Sequence, residues 1–498
     1  MQIVSERSII GTRKLVVMKK KLFIFLPARL HLTLLMAGAL TCNCLLSTIS
    51  FAQVIAAGGD HSLARCTDGT LRSWGDDFYG QLGDNAALTD QPTPVAVATL
   101  TGIVAIATGS YHSLALKSDG TVWSWGNDGF GQLGDDATFV DKPTPVQVNG
   151  LTGIIAIAAG AFHSFALKND STVWSWGYDA QGQLGDDAIL ANMPTPVPVD
   201  AALTGIIAIA AGGNHSLALK SDGTVWSWGS DANGQLGDDA ALINKPTPVQ
   251  AATLTGITAI SGGGQHSLAL KNDGMVWSWG FDASGQLGND AALVNQPTPV
   301  QVSALTGITA IAGGGNHSLA LKNGGTVWTW GLDLYGQLGD GGTNFNQPTP
   351  VAVATVTGIA AIAGGGNHSL ALKNDGTVWS WGKDAEGQLG DNAALVQKPT
   401  PVQASPLCNV TLPGAAVAEI YEQDAIRFYP NPSSGLFQVQ NSKFKVQHLE
   451  VCNVLGEKVY STIINSQSST LNLNVPDGLY FIKIISEGNV RTGKLIIQ

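Results

Sequence analysis

The stretch HSLALKSDGTVWSWGNDGFGQLG, residues 112–134, decides the fold. It holds two short apolar runs around Asp119-Gly120, a pair that supplies the positive φ a tight hairpin needs. Trp123 and Trp125 stand at i and i+2, on one face of a strand, where they can pack against a neighbouring sheet. Gly131-Gln132-Leu133-Gly134 then opens a long loop. Upstream lies an Ala- and Gly-rich run ending in a Gly cluster, and downstream a Pro-Thr-Pro-Val run. The prolines cannot donate to a central ladder, so this last run belongs at a sheet edge. The unit therefore reads as four antiparallel strands with one Pro-blunted edge.

The unit recurs. His-Ser begins at His61, His112, His163, His215, His266, His317 and His368, in steps of 51 or 52 residues. Trp-Gly follows with the same steps at Trp74, Trp125, Trp176, Trp228, Trp279, Trp330 and Trp381. All 13 Trp of the chain fall at repeated positions, so stability alone accounts for them. Seven copies run through residues 54–402 without a gap. A period of this length with four strands per unit describes the blades of a β-propeller, its small-residue first strand suited to the crowded axis. The expected fold class is all-β: a seven-bladed propeller over residues 53–403, a linker over 404–423 and a small β-sandwich over 424–498.

Composition supports this reading and excludes others. Charged residues make up 13% of the 498, with 61 Gly, which fits short strands and tight turns rather than disorder. A net charge of −11 argues against a nucleic-acid groove, which needs clustered Lys and Arg. Residues 1–52 read as an export signal. Met18-Lys19-Lys20-Lys21 gives a basic start, possible as the true translation start, an apolar core follows, and cleavage is expected between Ala52 and Gln53. A membrane anchor is the competing reading, which the basic start and the Ala52-Gln53 junction disfavour.

The Gly-x-x-His-Ser-Leu-Ala-Leu, Val-Trp-Ser-Trp-Gly and Gly-Gln-Leu-Gly elements resemble the repeats of the regulator of chromosome condensation family, over about 350 residues. That resemblance implies a seven-bladed propeller. Its members include a nucleotide exchange factor for a nuclear GTPase, a plant ultraviolet-B photoreceptor and secreted inhibitors of β-lactamases. An exported chain does not meet a nuclear GTPase, so exchange activity is not carried over. The C-terminal stretch Tyr429-Pro430-Asn431-Pro432-Ser433-Ser434-Gly435, with Asp477-Gly478-Leu479-Tyr480-Phe481 and the closing Lys494-Leu495-Ile496-Ile497, resembles the type A sorting domain of bacterial type IX secretion. It implies passage across the outer membrane of a Gram-negative bacterium, with the type IX machinery as partner and the cargo released or surface-attached. If that domain is removed, Cys66 and Cys408 remain, one in the first blade and one past the last, and they are expected to pair and seal the ring.

No nucleophile elbow, phosphate loop or HExxH motif appears in the repeats, and no cofactor is implied. The repeated His residues are separated around the ring, so a bond to a backbone group in each turn is favoured over a metal site. The acidic pairs Asp135-Asp136, Asp186-Asp187 and Asp238-Asp239 suit turns, with weak calcium binding as the alternative. The copies differ most in two loops that emerge on one face, before His and after Trp-Gly. Phe78, Tyr79, Tyr111, Phe130, Phe162 and Tyr178 gather there in blades 1–3, with Phe281 and Tyr335 in blades 5 and 6. Two readings stand: rings that anchor a protein or glycan partner, or rings that pack within their own loops. The function expected is a monomeric, non-enzymatic recognition module, secreted or at the cell surface. The alternatives are an extracellular lyase or hydrolase with a site near the channel, and a structural surface-layer component.

Overall fold

A computed structural model describes residues 53–410, apart from 87, 137–138, 188–190, 240–241, 253, 291–292 and 343–344 in the loops. Beyond these it describes the C-terminal strands at 427–429, 436–440, 448–452, 458–462, 468–473, 478–486 and 489–497. Ala52 and the sorting-motif residues Pro430, Asn431, Pro432 and Gly435 lie outside the described residues; Gln53 and Tyr429 lie within them.

The first blade shows how each unit is built. Strands β1 (Ile55–Ala57), β2 (His61–Arg65), β3 (Leu71–Gly75) and β4 (Gln91–Ala96) form one antiparallel sheet in sequence order. Six more four-stranded sheets follow with the same order, so the chain forms a seven-bladed propeller. In the second blade Val122–Gly126 pairs with His112–Lys117 in the register Trp123↔Ala115 and Trp125↔Ser113. The Asp-Gly turn between them works as expected: Asp119 accepts from the Thr121 backbone N–H at 3.0 Å while Gly120 takes φ +79°.

The core lies between blades rather than within one. Leu63 and Leu71 of the first blade pack with Ile106, Ala115 and Trp125 of the second, and equivalent clusters recur around the ring. The second Trp of each pair is fully buried. The first is only half-buried, and a Lys covers it in four blades, as Lys117 Nζ does 5.7 Å from the Trp123 ring centre. Outermost strands such as Gln91–Ala96 stay largely accessible, in keeping with their prolines.

Because each blade is one continuous segment, the ring closes where the two ends of the array meet. Cys66 and Cys408 are joined by a disulfide with Cα atoms 5.7 Å apart, and Thr67 N–H donates to the Asn409 carbonyl at 2.9 Å beside it. In the C-terminal region the described strands form a three-stranded and a four-stranded antiparallel sheet. The disulfide spans 342 residues, so losing it frees a long loop in the unfolded chain. Cys408→Ser is expected to lower propeller stability by about 2–5 kcal/mol in denaturant titration. An unchanged midpoint would show that the blade contacts alone close the ring.

Candidate binding face and the ring beneath it

The repeated residues build one interface seven times. His61 Nε2 lies 3.0 Å from Ser113 Oγ of the next blade, and that hydroxyl donates to the Gln81 carbonyl at 3.0 Å. The same carbonyl accepts the Trp125 indole N–H at 2.9 Å. The pattern then runs His112–Ser164, His163–Ser216, His215–Ser267, His266–Ser318 and His317–Ser369. It closes with His368 Nε2 at 2.9 Å from Ser62 Oγ of the first blade, whose hydroxyl and Trp74 both donate to the Gln388 carbonyl. Each serine spends its one proton on the glutamine carbonyl, so its oxygen accepts from His Nε2–H. That fixes the neutral tautomer, with Nδ1 unprotonated.

This corrects the expectation that each His bonds a backbone group in its own turn. The nearest such groups already serve each other, as where Gly58 N–H donates to the His61 carbonyl at 2.8 Å. The ring instead folds over a glycine three residues back: a Cβ on Gly58 would sit 2.3 Å from His61 Cε1. The last glycine of Gly-Gln-Leu-Gly has the same kind of reason, since a Cβ on Gly83 would meet Trp125 Nε1 at 2.6 Å. The glutamine, in the same place in all seven copies, was the part sequence reasoning missed. Its recurrence was visible, but a role carried by its backbone carbonyl has no side-chain signature.

The loop after Trp-Gly is pinned by a buried aspartate. Asp77 Oδ1 accepts the Leu82 N–H at 2.9 Å, and Ser73 Oγ donates to the Leu82 carbonyl at 2.7 Å. Further along, the acidic pairs serve turns: Asp136, Asp187 and Asp239 take positive φ, and Lys142 and Lys245 pair with Asp135 and Asp238 at 3.6 and 3.7 Å. Among the described residues no group of three or more His, Cys, Asp or Glu side chains is placed to hold a metal ion.

Above this ring the variable residues meet in a regular way. The residue two before Gly-Gln-Leu-Gly's glutamine faces the residue before His in the next blade. Tyr79 meets Tyr111 with ring centres 5.3 Å apart, and Phe130 meets Phe162 at 5.2 Å. Phe78 touches Tyr79 at 4.9 Å, Tyr111 touches Phe162 at 5.9 Å, and Tyr178 touches Phe130 at 4.9 Å. Six rings thus form one continuous arc across blades 1–3, while Phe281 and Tyr335 stand apart from it, half-buried in blades 5 and 6. The rings do pack on one another, and five are half-buried while Phe78 is 68% exposed. At the junction of blades 7 and 1 the face is charged. Lys383 Nζ bridges Asp60 and Glu386 at 3.0 and 3.1 Å, so these charges serve one another.

The chain matches the RCC1-like domain over residues 41–306 and 140–420. It belongs to the RCC1-like domain family. The RCC1-like region is 32% identical over 349 residues to the ultraviolet-B receptor UVR8 of Arabidopsis thaliana, covering 68% of this chain and 78% of that protein. It is 32% identical over 369 residues to the mitochondrial RCC1 domain-containing protein RUG3 of the same plant, covering 67% and 82%. Yeast RCC1 (Prp20), solved bound to Kap60, shares the fold with a TM-score of 0.61 at 24% identity, covering 72% of this chain and 86% of that one. Residues 427–498 match a secretion-system C-terminal sorting domain. The chain is therefore an RCC1-like propeller carrying a sorting tail for export to the cell surface or exterior.

Burial sets opposing pH dependences in the interface. Desolvation lowers the pKa of the seven His from 6.5 to about 3, or about 4 for His215. Desolvation raises six of the seven loop aspartates from 3.8 to about 6 and the seventh, Asp77, to about 7. Between about pH 6 and 4 the unfolded chain protonates its His and the native chain its Asp, so the two uptakes offset. Below about pH 4 the unfolded aspartates bind protons too while the native His stay neutral, and stability falls. The melting temperature should therefore be nearly level from about pH 6 to 4 and drop steeply below. A steady decline across that window would mean the His contribution is unopposed.

Proposed function

We propose that this protein is a secreted or surface-held recognition module that binds a protein or glycan partner through the loop face carrying the aromatic arc. The observation behind this reading is the arc itself: six contacting rings, five half-buried and Phe78 exposed, on the loops of three of the seven blades. Repeated residues account for the scaffold, so a departure from the repeat that clusters in space points to use rather than stability. The opposite face favours no such role. Its hairpin turns carry Lys–Asp pairs such as Lys117–Asp119 and Lys168–Asp170, at 3.7 and 3.4 Å, which are well hydrated. The type IX machinery is the partner of the sorting tail. The reading involves no nucleic acid and no catalysis, and the propeller acts as a monomer.

Packing and binding separate by position along the arc. Phe78 touches a single ring, so Phe78→Ala should leave the melting temperature nearly unchanged and weaken retention of the purified propeller on isolated envelope fractions. Phe162 touches Tyr111, Phe130 and Tyr178, so Phe162→Ala should lower both, with about 1–3 kcal/mol lost from stability. Equal retention of both variants and the parent protein would refute the face.

A further inference from the structure

Where the arc ends, between blades 3 and 4, the same paired positions carry amides instead of rings: Gln181 and Asn214. One junction further on, the equivalent residues bond each other, Asn233 Nδ2 donating to Gln265 Oε1 at 2.8 Å. At the blade 3–4 junction they do not, and the Gln181 Oε1 and Asn214 Oδ1 oxygens are buried without a partner. Beneath them lies a third amide. Gln183 is fully buried, and its Oε1 accepts the Gln181 N–H, yet its Nε2 has no acceptor. Its Cα and the Asn214 carbonyl both lie within about 3 Å of a Cβ placed on Gly229, so these residues share one spot.

A comparison among the copies explains the orphaned donor. In blades 1, 2 and 4 the residue directly after Trp-Gly takes the glutamine amide, while in blade 7, where it is Lys383, the Gln388 amide goes to Asp60 and Glu386. Gln81 Nε2 donates to Asp76 Oδ2 at 2.7 Å, Gln132 to Asn127, and Gln235 to Ser230 Oγ at 3.1 Å. In blade 3 that residue is Tyr178, whose ring packs on Phe130 and Phe162, and the Gln183 Nε2 is left without an acceptor. Phe281 and Leu332 leave Gln286 and Gln337 in the same state, but only the blade 3–4 junction adds two unpartnered carbonyl oxygens.

We infer that the blade 3–4 junction is a subsite for a neutral sugar unit of a glycan, which deepens the proposed partner-binding face and rests on it. Buried unpaired donors and acceptors are costly, and a ligand that pairs them regains that cost. Here one donor and two acceptors of one junction lack partners, and no charged side chain is among these residues and Tyr178. A hydroxyl donates and accepts at once, so neighbouring hydroxyls on a sugar serve both kinds of group. Its apolar C–H face packs on Tyr178 by dispersion and loss of water. A peptide segment would bring backbone groups in fixed alternation and charged side chains that meet no countercharge here.

The test is calorimetry of the full propeller with a panel of neutral oligosaccharides, alongside acidic ones and the envelope protein fraction. Gln181→Ala and Asn214→Ala remove only the unpartnered oxygens' side chains, so both should keep the parent melting temperature. The expected result is binding of a neutral oligosaccharide that falls about tenfold or more in each variant (about 1.4 kcal/mol per tenfold) and is lost in Tyr178→Ala. No binding to any neutral oligosaccharide at millimolar concentration overturns the inference, as does binding unchanged in both amide variants. If a protein instead binds, weakened by Phe78→Ala but not by the amide variants, the subsite fails while the face stands. If no fraction responds to any of these variants, both fail.

Discussion

Everything in this propeller hangs on a backbone carbonyl. The carbonyl of the glutamine in Gly-Gln-Leu-Gly receives two donors from the following blade, a serine hydroxyl and an indole N–H, and a histidine reaches the same serine from the near side. The arrangement is repeated at all seven junctions, and the last returns to the first through Ser62, Trp74 and Gln388. A blade alone buries too little to persist, so it is this junction that turns four short strands into part of a stable body. Its demands explain the composition. Glycine stands where the imidazole folds back and where the indole lies down, and burial keeps the histidine neutral.

Such a scaffold leaves few positions free to vary. The residue before His and the residues just after Trp-Gly supply no side-chain donor to the glutamine carbonyls, so they can change without removing those bonds. That is where this chain departs from its own repeat, with rings at two junctions, amides at two more and an ion-pair cluster where the ends meet. The face is thus written in pairs, one member from each neighbouring blade. Its chemistry changes stepwise around the channel rather than residue by residue.

The fold was legible in the sequence because the repeat states it seven times, and because Asp-Gly, Pro-Thr-Pro and paired Trp each have one natural place in a blade. The Cys66–Cys408 link could be anticipated from where the two residues fall in the array. The histidines were misread. Their partner lies one blade away, about 52 residues along the chain, and local reasoning looks for partners within the turn. The aromatic cluster was legible as a list but not as an arc. Only the geometry shows that Tyr79 meets Tyr111 while Phe281 and Tyr335 join no other ring among the described residues. The orphaned amides were invisible, since an unmet hydrogen bond is a property of neighbours and leaves no mark in the residue itself.

The seven junctions carry the fold, and in the proposed function differences between copies on one face carry recognition. The most direct measurement combines Tyr111→Asn, Phe162→Asn and Tyr178→Ser, the residues blade 4 has at those positions, and follows retention on envelope fractions beside near-ultraviolet circular dichroism. The expected result is a propeller with the tryptophan signal of the parent protein and no retention. Undiminished retention by that folded variant would contradict it.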